Sequence, residues 1–202
     1  ILGLNKSFFS DCQSILSKFY NEILPKYKSM NISTVRDSIG DLPVFTPLFD
    51  EDSHKNHKSH ELLGPEILWH EPRYHNLRDM SIFKLLAEDL ESGRREYNSK
   101  KISELYAEKI GSKSPIHRYH VLDPDKPSTT IIAHLYKDGN RFIHYDSRQS
   151  RTITVREAAR LQSFDDDFNF IGSRSDAYQM IGNAVPPKLA YSIAKAVYEL
   201  LS

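Results

Sequence analysis

The chain has 202 residues, enough for one domain or two small ones with a real core, and its 39% hydrophobic and 27% charged content is ordinary for a soluble protein. Twenty-seven Lys/Arg cancel 27 Asp/Glu, so no overall field advertises a nucleic-acid partner, although residues 113–160 hold nine Lys/Arg against five Asp/Glu. A single Cys excludes an internal disulfide framework and fits a reducing cytoplasm, and no apolar run approaches the roughly 18 residues that a membrane span needs.

Ile1-Leu2-Gly3-Leu4 reads as the end of a buried strand continued from upstream. From Phe8 to Leu24 the apolar positions Phe9, Cys12, Leu16, Phe19 and Ile23 recur at three and four, which predicts an amphipathic helix ended by Pro25, with Cys12 on its buried face. Thr34 can cap a short helix that Gly40 and Pro43 stop. Asp50 to His60 is polar and loop-like. His54, His57 and His60 recur at threes, but without a Cys or carboxylate cluster they read as solvated histidines, and no metal is expected. His70 to His75, HEPRYH, reads as a polar loop between helices.

Two helices follow, one capped by Asn76 and stopped at Gly93, the other over Ser99–Ile110 with Gly111 after it. The charged spacer between them is expected to be mobile. Thr129 to His134 and Arg141 to Tyr145 are β-branched or aromatic runs flanking Asp138-Gly139, which predicts a hairpin. Thr154 and Glu157, three apart ahead of Ala158, Ala159 and Leu161, form a capping-box signature. An acidic, aromatic loop runs from Phe164 to Phe170, and Gly182-Asn183 reads as a turn before Pro186-Pro187. The last helix carries Leu189, Ile193, Ala196, Val197 and Leu200 on one side, a stripe expected to pack against the N-terminal helix or a second copy of the chain.

The stretch RTITVREAARLQSFDDDF followed by YQMIGNAVPP resembles the last two conserved blocks of DNA (cytosine-5) methyltransferases, in that family's order and spacing. Thr154, Arg156, Glu157, Ala159, Arg160 and Gln162 fill the first block, and Tyr178, Gln179, Gly182, Asn183, Val185 and Pro186 the second. VRDSIGDLP and the Pro-Ser-x-Thr-Ile segment resemble the lead-in to the target-recognition region and a part of it. The family usually has Pro after the Phe of the first block, where this chain has Asp165, which puts the rigidity of the following loop in question.

The resemblance implies an α+β fold. It has a helical N-terminal half, a small β hairpin recognition region, and C-terminal helices belonging to an otherwise missing Rossmann-like domain. Residues 1–47 would be a remnant and linker of the catalytic domain, 48–170 the target-recognition region, and 171–202 the segment packing on the catalytic domain. Double-stranded DNA would be met by Thr130, His134, Lys137 and Arg141, with Arg156 either touching phosphate or bracing the recognition segment. Asn183, Ala184 and Val185 would border S-adenosylmethionine, bound only with the missing catalytic half.

The family nucleophile is a Cys-Gln pair after a Pro. Cys12-Gln13 follows Ser10-Asp11 instead, so no catalytic residue is expected here, and the chain alone is expected to be inactive. Two classes stay open: part of a restriction-modification methyltransferase, cut from a longer chain or a split subunit, or a DNA-binding module without chemistry. The resemblance implies a bacterial, cytoplasmic, nucleoid-associated protein.

Overall fold

The computed structural model describes residues 3–28, 31–111, 119–137 and 139–202. The expected strand at Ile1-Leu2 and the Asp138 half of the Asp-Gly turn lie outside them. The chain forms two compact units, Ser33–Ala184 and a second made of Ile1–Ile32 with Val185–Ser202.

In the second of these units Asp11 caps α1, Cys12–Lys18, by accepting the Ser14 N–H. The expected single helix becomes three pieces: α1, a π turn at Phe19–Ile23 and a 3-10 turn at Leu24–Tyr27. Pro25 is the second residue of that last turn and so does not end the helix, since the first positions of a turn need no donor there. Cys12 is half-buried and not in the core, its Sγ 3.4 Å from the Phe9 carbonyl oxygen. The final helix, spanning Pro187–Leu201, buries Ala196 against Phe19 and Ile23, with Val197 and Leu200 alongside. Tyr27 donates to Glu199 at 2.7 Å, tying the two ends of this unit together. The expected packing through the N-terminal helix is met by Phe19, while Leu189 stays 51% exposed.

The larger unit begins with α2, Val35–Ile39, where the Thr34 hydroxyl accepts the Asp37 N–H and Asp37 returns the bond to the Thr34 N–H. β1, Val44–Pro47, pairs antiparallel with β2, His60–Leu63, setting Val44 opposite Leu63 and Pro47 opposite His60. Between them Asp50 caps α3, Glu51–Lys55. α4, Leu77–Glu91, starts at the Asn76 cap, and α5, Ser99–Ile110, ends at Gly111 with φ +75°. The spacer between these two helices is pinned. The Asp89 carboxylate accepts the N–H groups of Glu96 and Tyr97, and Asn98 caps α5. α6 is Val155–Leu161, and Arg174–Asn183, capped by a Ser173–Asp176 box, forms the next helix, α7. The final helix is α8.

The fold is therefore helix-rich with one small antiparallel sheet, as the α+β expectation has it, but the sheet lies at β1 and β2. The hairpin expected over Thr129–Tyr145 does not form. Ala133–Tyr136 and Gly139–Arg141 are 3-10 turns, and Ile143 bridges Val121 and Thr152. The reason lies in burial: Ile131, Leu135 and Phe142 all enter the main core with Val35, Ile153 and Tyr178, so the two runs turn inward and do not pair with each other. Gly182 is no turn either. It lies inside α7, where a Cβ would overlap the Ile132 carbonyl oxygen and come within 2.9 Å of the Ala133 Cα. Its smallness lets α7 touch the 133–136 turn.

Candidate nucleic-acid interface

α6 is held by a buried polar network. Glu157 accepts the Thr154 N–H, completing the capping box, and its two carboxylate oxygens each take a guanidinium N–H of Arg151 at 2.7 Å. Both side chains of the pair are 1% exposed. Burial alone would raise the Glu157 carboxyl, but the Arg151 charge and its bonds hold it below the ordinary carboxylate range. Arg151 also donates to Gln149 and lies over the Phe45 ring of β1 at 4.8 Å, which fastens the sheet to the first turn of α6.

Four histidines close this network. His70 donates from Nε2 to the Pro43 carbonyl at 2.8 Å and pairs through Nδ1 with the Thr154 hydroxyl at 3.0 Å. His60 donates to the Gln149 carbonyl, and its other ring nitrogen meets Ser59. His75 accepts the Thr152 N–H. His144 Nε2 stands 3.6 Å from Glu157. Burial, aided by neighbouring positive charge, pushes His60 down to about 4 and His75 and His144 down to about 3, so all three are neutral near pH 7. The reading of His60 as a solvated loop residue, and of HEPRYH as a plain polar loop, is corrected here: these imidazoles are structural. Their partners lie up to 89 positions away, beyond any local pattern. His54 and His57 pack on Tyr74, and among the described residues no group of three or more His, Cys, Asp or Glu could hold a metal ion.

Arg156 is fully enclosed. Its guanidinium donates to three carbonyls, Leu68 at 3.0 Å, Asp165 at 3.2 Å and Phe168 at 3.3 Å. Of the two roles left open, this is the geometry of a brace. Two of these bonds hold the backbone of the loop in which Asp165 stands in place of Pro. Arg160 adds an ion pair to Asp166 at 2.6 Å.

Thr130, His134, Lys137 and Arg141 are all exposed. His134 and Lys137 stand at one 3-10 turn and Arg141 on the next, while Thr130 and Arg141 line a groove of about 680 Å³ with Tyr97 and His120. Among the described residues, neither Lys137 nor Arg141 forms an ion pair with a carboxylate. Solvated cations on a tightly turned backbone suit phosphate contacts. The residue that sequence reasoning missed is Arg73, which grips this segment from behind. Its Nη1 donates to the Tyr136 carbonyl at 3.0 Å and its Nη2 to the Leu135 carbonyl at 2.6 Å.

Asn183 and Ala184, at the end of α7, border an open concavity of about 490 Å³ with Asp176, Gln179 and Met180. The concavity is open to solvent and not an enclosure. Val185 is 60% exposed and belongs to the other unit.

Residues 1–199 match the family of C-5 cytosine-specific DNA methylases. The chain belongs to this family. Among curated members of it, type II methyltransferase M.Bpa9945I of Bacillus paralicheniformis is 35% identical over 184 residues, covering 84% of this chain and 41% of that protein. Type II methyltransferase M1.HphI of Haemophilus parahaemolyticus is 47% identical over 83 residues, 41% of this chain and 20% of its own length. Type II methyltransferase M.AquIB of Picosynechococcus is 44% identical over 94 residues, 41% of this chain and 64% of that protein. The chain spans less than half the length of the relatives that match most of it. Among the described residues no helix is long and apolar enough to cross a membrane.

Proposed function

We propose that this chain is the target-recognition and C-terminal portion of a DNA (cytosine-5) methyltransferase of a restriction-modification system. In this reading residues 1–47 link to the catalytic part, 48–170 recognise double-stranded DNA, and 171–202 pack on the catalytic part. The observation that carries it is the pairing of a braced α6 loop with a turned, cation-bearing segment, in a chain of this family.

S-adenosylmethionine, when bound by the whole enzyme, supplies the methyl group that goes to cytosine C5. This chain's residues do the rest of what is proposed here. Lys137 and Arg141 neutralise phosphates, and Thr130 and His134 reach toward base edges. Arg156 and Arg151 hold the frame from which they project. Asn183, Ala184 and Val185 border the cofactor. The one thiol, Cys12, is half-buried and follows Ser10-Asp11, so the nucleophile that adds to the ring is assigned to the catalytic part.

With the purified chain, tritium transfer from labelled S-adenosylmethionine to DNA is expected to stay at background. Duplex affinity should fall by about 0.9 log unit per log unit of salt for each phosphate neutralised. Lys137→Ala and Arg141→Ala should each weaken it, while Lys188→Ala on α8 should not. Equal losses from all three, or methyl transfer abolished by Cys12→Ser, would overturn the reading. The exposed side of α8, with Leu189, is assigned to the catalytic part and, without it, to a second copy of the chain. Sedimentation should then show a dimer that Leu189→Asp converts to a folded monomer.

A further inference from the structure

We propose that Arg73 is a positioning residue for DNA contact, one that fixes the turn at Ala133–Tyr136 and thereby the stance of His134, Lys137 and Arg141. The inference rests on the reading of that segment as DNA-facing, and deepens it.

The last carbonyls of a helical turn have no donor within the turn. Here the two at issue, Leu135 and Tyr136, are taken by the two terminal nitrogens of one guanidinium, at 2.6 and 3.0 Å. The planar fork of Arg matches two neighbouring acceptors in a way that an ammonium cannot. On its face, the guanidinium carbon lies 4.0 Å from the centre of the Tyr178 ring. That ring is itself fixed, fully buried with its hydroxyl donating to the Ile153 carbonyl at 2.7 Å. On its far side is Gly139, at which a Cβ would stand 3.3 Å from the guanidinium.

The clamp therefore touches both 3-10 turns, and its far wall is α7. No carboxylate among the described residues pairs with Arg73, and its Nε is buried without a partner. A side chain that merely filled this space would avoid that cost. What the guanidinium achieves that an apolar residue would not is to end the first turn at Tyr136, so that Lys137 leaves it in one direction. Without the clamp, the two carbonyls must seek water, and the stretch carrying the cations loses its shape while keeping its charges.

The test is anisotropy of a fluorescein-labelled duplex with the full chain, from about 50 to 200 mM salt. Arg73→Ala should lower the salt slope by about 1.8, the share of two phosphates, and raise Kd at least tenfold. Adding Lys137→Ala and Arg141→Ala to it should then change Kd less than twofold. Arg73→Lys, which keeps the charge and loses the fork, should behave as Arg73→Ala does. Should Arg73→Ala fail to fold, as judged by its circular dichroism, Gly139→Ala displaces the guanidinium more gently, and the same lowered slope is expected. A slope lowered by about 0.9 or less, with losses that add fully to those of Lys137→Ala and Arg141→Ala, would overturn the proposal by making Arg73 a direct phosphate contact or plain packing. No salt-dependent binding by the unaltered chain would be a different result. It would sink the DNA reading itself, and this inference with it.

Discussion

Glu157 shows how much one side chain can hold. Its carboxylate closes the capping box of α6, takes both terminal nitrogens of Arg151, and stands beside His144. Removing the charge leaves Arg151 buried and uncompensated, which costs about 3–5 kcal/mol in such settings. Glu157→Gln should therefore lower the urea midpoint steeply. Arg151→Met combined with Glu157→Leu should recover part of the loss, and a recovery of none would show that the hydrogen bonds to Gln149 and Thr154 matter more than the charge. The capping box was legible in the sequence because Thr154 and Glu157 are three residues apart. Arg151, six residues from Glu157, carries no comparable signal, and His70, His75 and Gln149 carry none at all. Their bonds depend on how distant segments meet.

Among the elements, those with local punctuation matched expectation: α2, α4 and α6 each begin at the Thr or Asn that the sequence marks as a cap, and α5 runs over Ser99–Ile110 to Gly111. The elements that failed depend on partners. Thr129–His134 has the composition of a strand, yet its apolar residues are claimed by the core and its backbone by α7, while Arg73 holds the next two carbonyls, those of Leu135 and Tyr136. β1 and β2 pair across an intervening helix, and the turn signals beside them, Pro43 and Gly64-Pro65, stand at their outer ends and not between them. Gly182-Asn183 reads as a turn because glycine often is one, whereas the Gly182 backbone is helical and what it supplies is absence of a side chain. Gly182→Ala should force the 133–136 turn away from α7. Overpacking of this kind costs about 1–3 kcal/mol. A melting temperature unchanged in that variant would show that the two elements separate freely.

For the larger unit as a whole, the three buried neutral histidines set an acid limit. Each has an ordinary value of 6.5 in the unfolded chain and about 3 or 4 when folded. Below pH 6.5 the unfolded state thus takes up protons that the folded state refuses, so stability is complete above that value and falls as pH drops. The loss approaches about 1.4 kcal/mol per pH unit for each imidazole once the pH is well below 6.5. Glu157 works lower down: its depressed carboxyl gives stability that is present above 4.5 and is lost only as pH falls beneath it. Chemical denaturation at pH 7, 6 and 5 should show a curve that steepens through this range. A flat profile, or one unaltered by His75→Gln, would remove the histidines as its cause.

Arg156 hydrogen-bonds the loop at 164–170 through main-chain oxygens, those of Asp165 and Phe168, and its guanidinium also lies 3.9 Å from the Asp166 carboxylate. Every amino acid offers that same carbonyl, so this part of the grip is blind to what positions 165 and 168 spell. Asp165 and Phe168 can change identity without releasing it, and the loop can drift in sequence across generations while its path stays put. Saturation mutagenesis should find positions 165 and 168 permissive and position 156 intolerant, with Lys no substitute. In lineages of this family, the site that tolerates least would then be the one that touches nothing outside the protein.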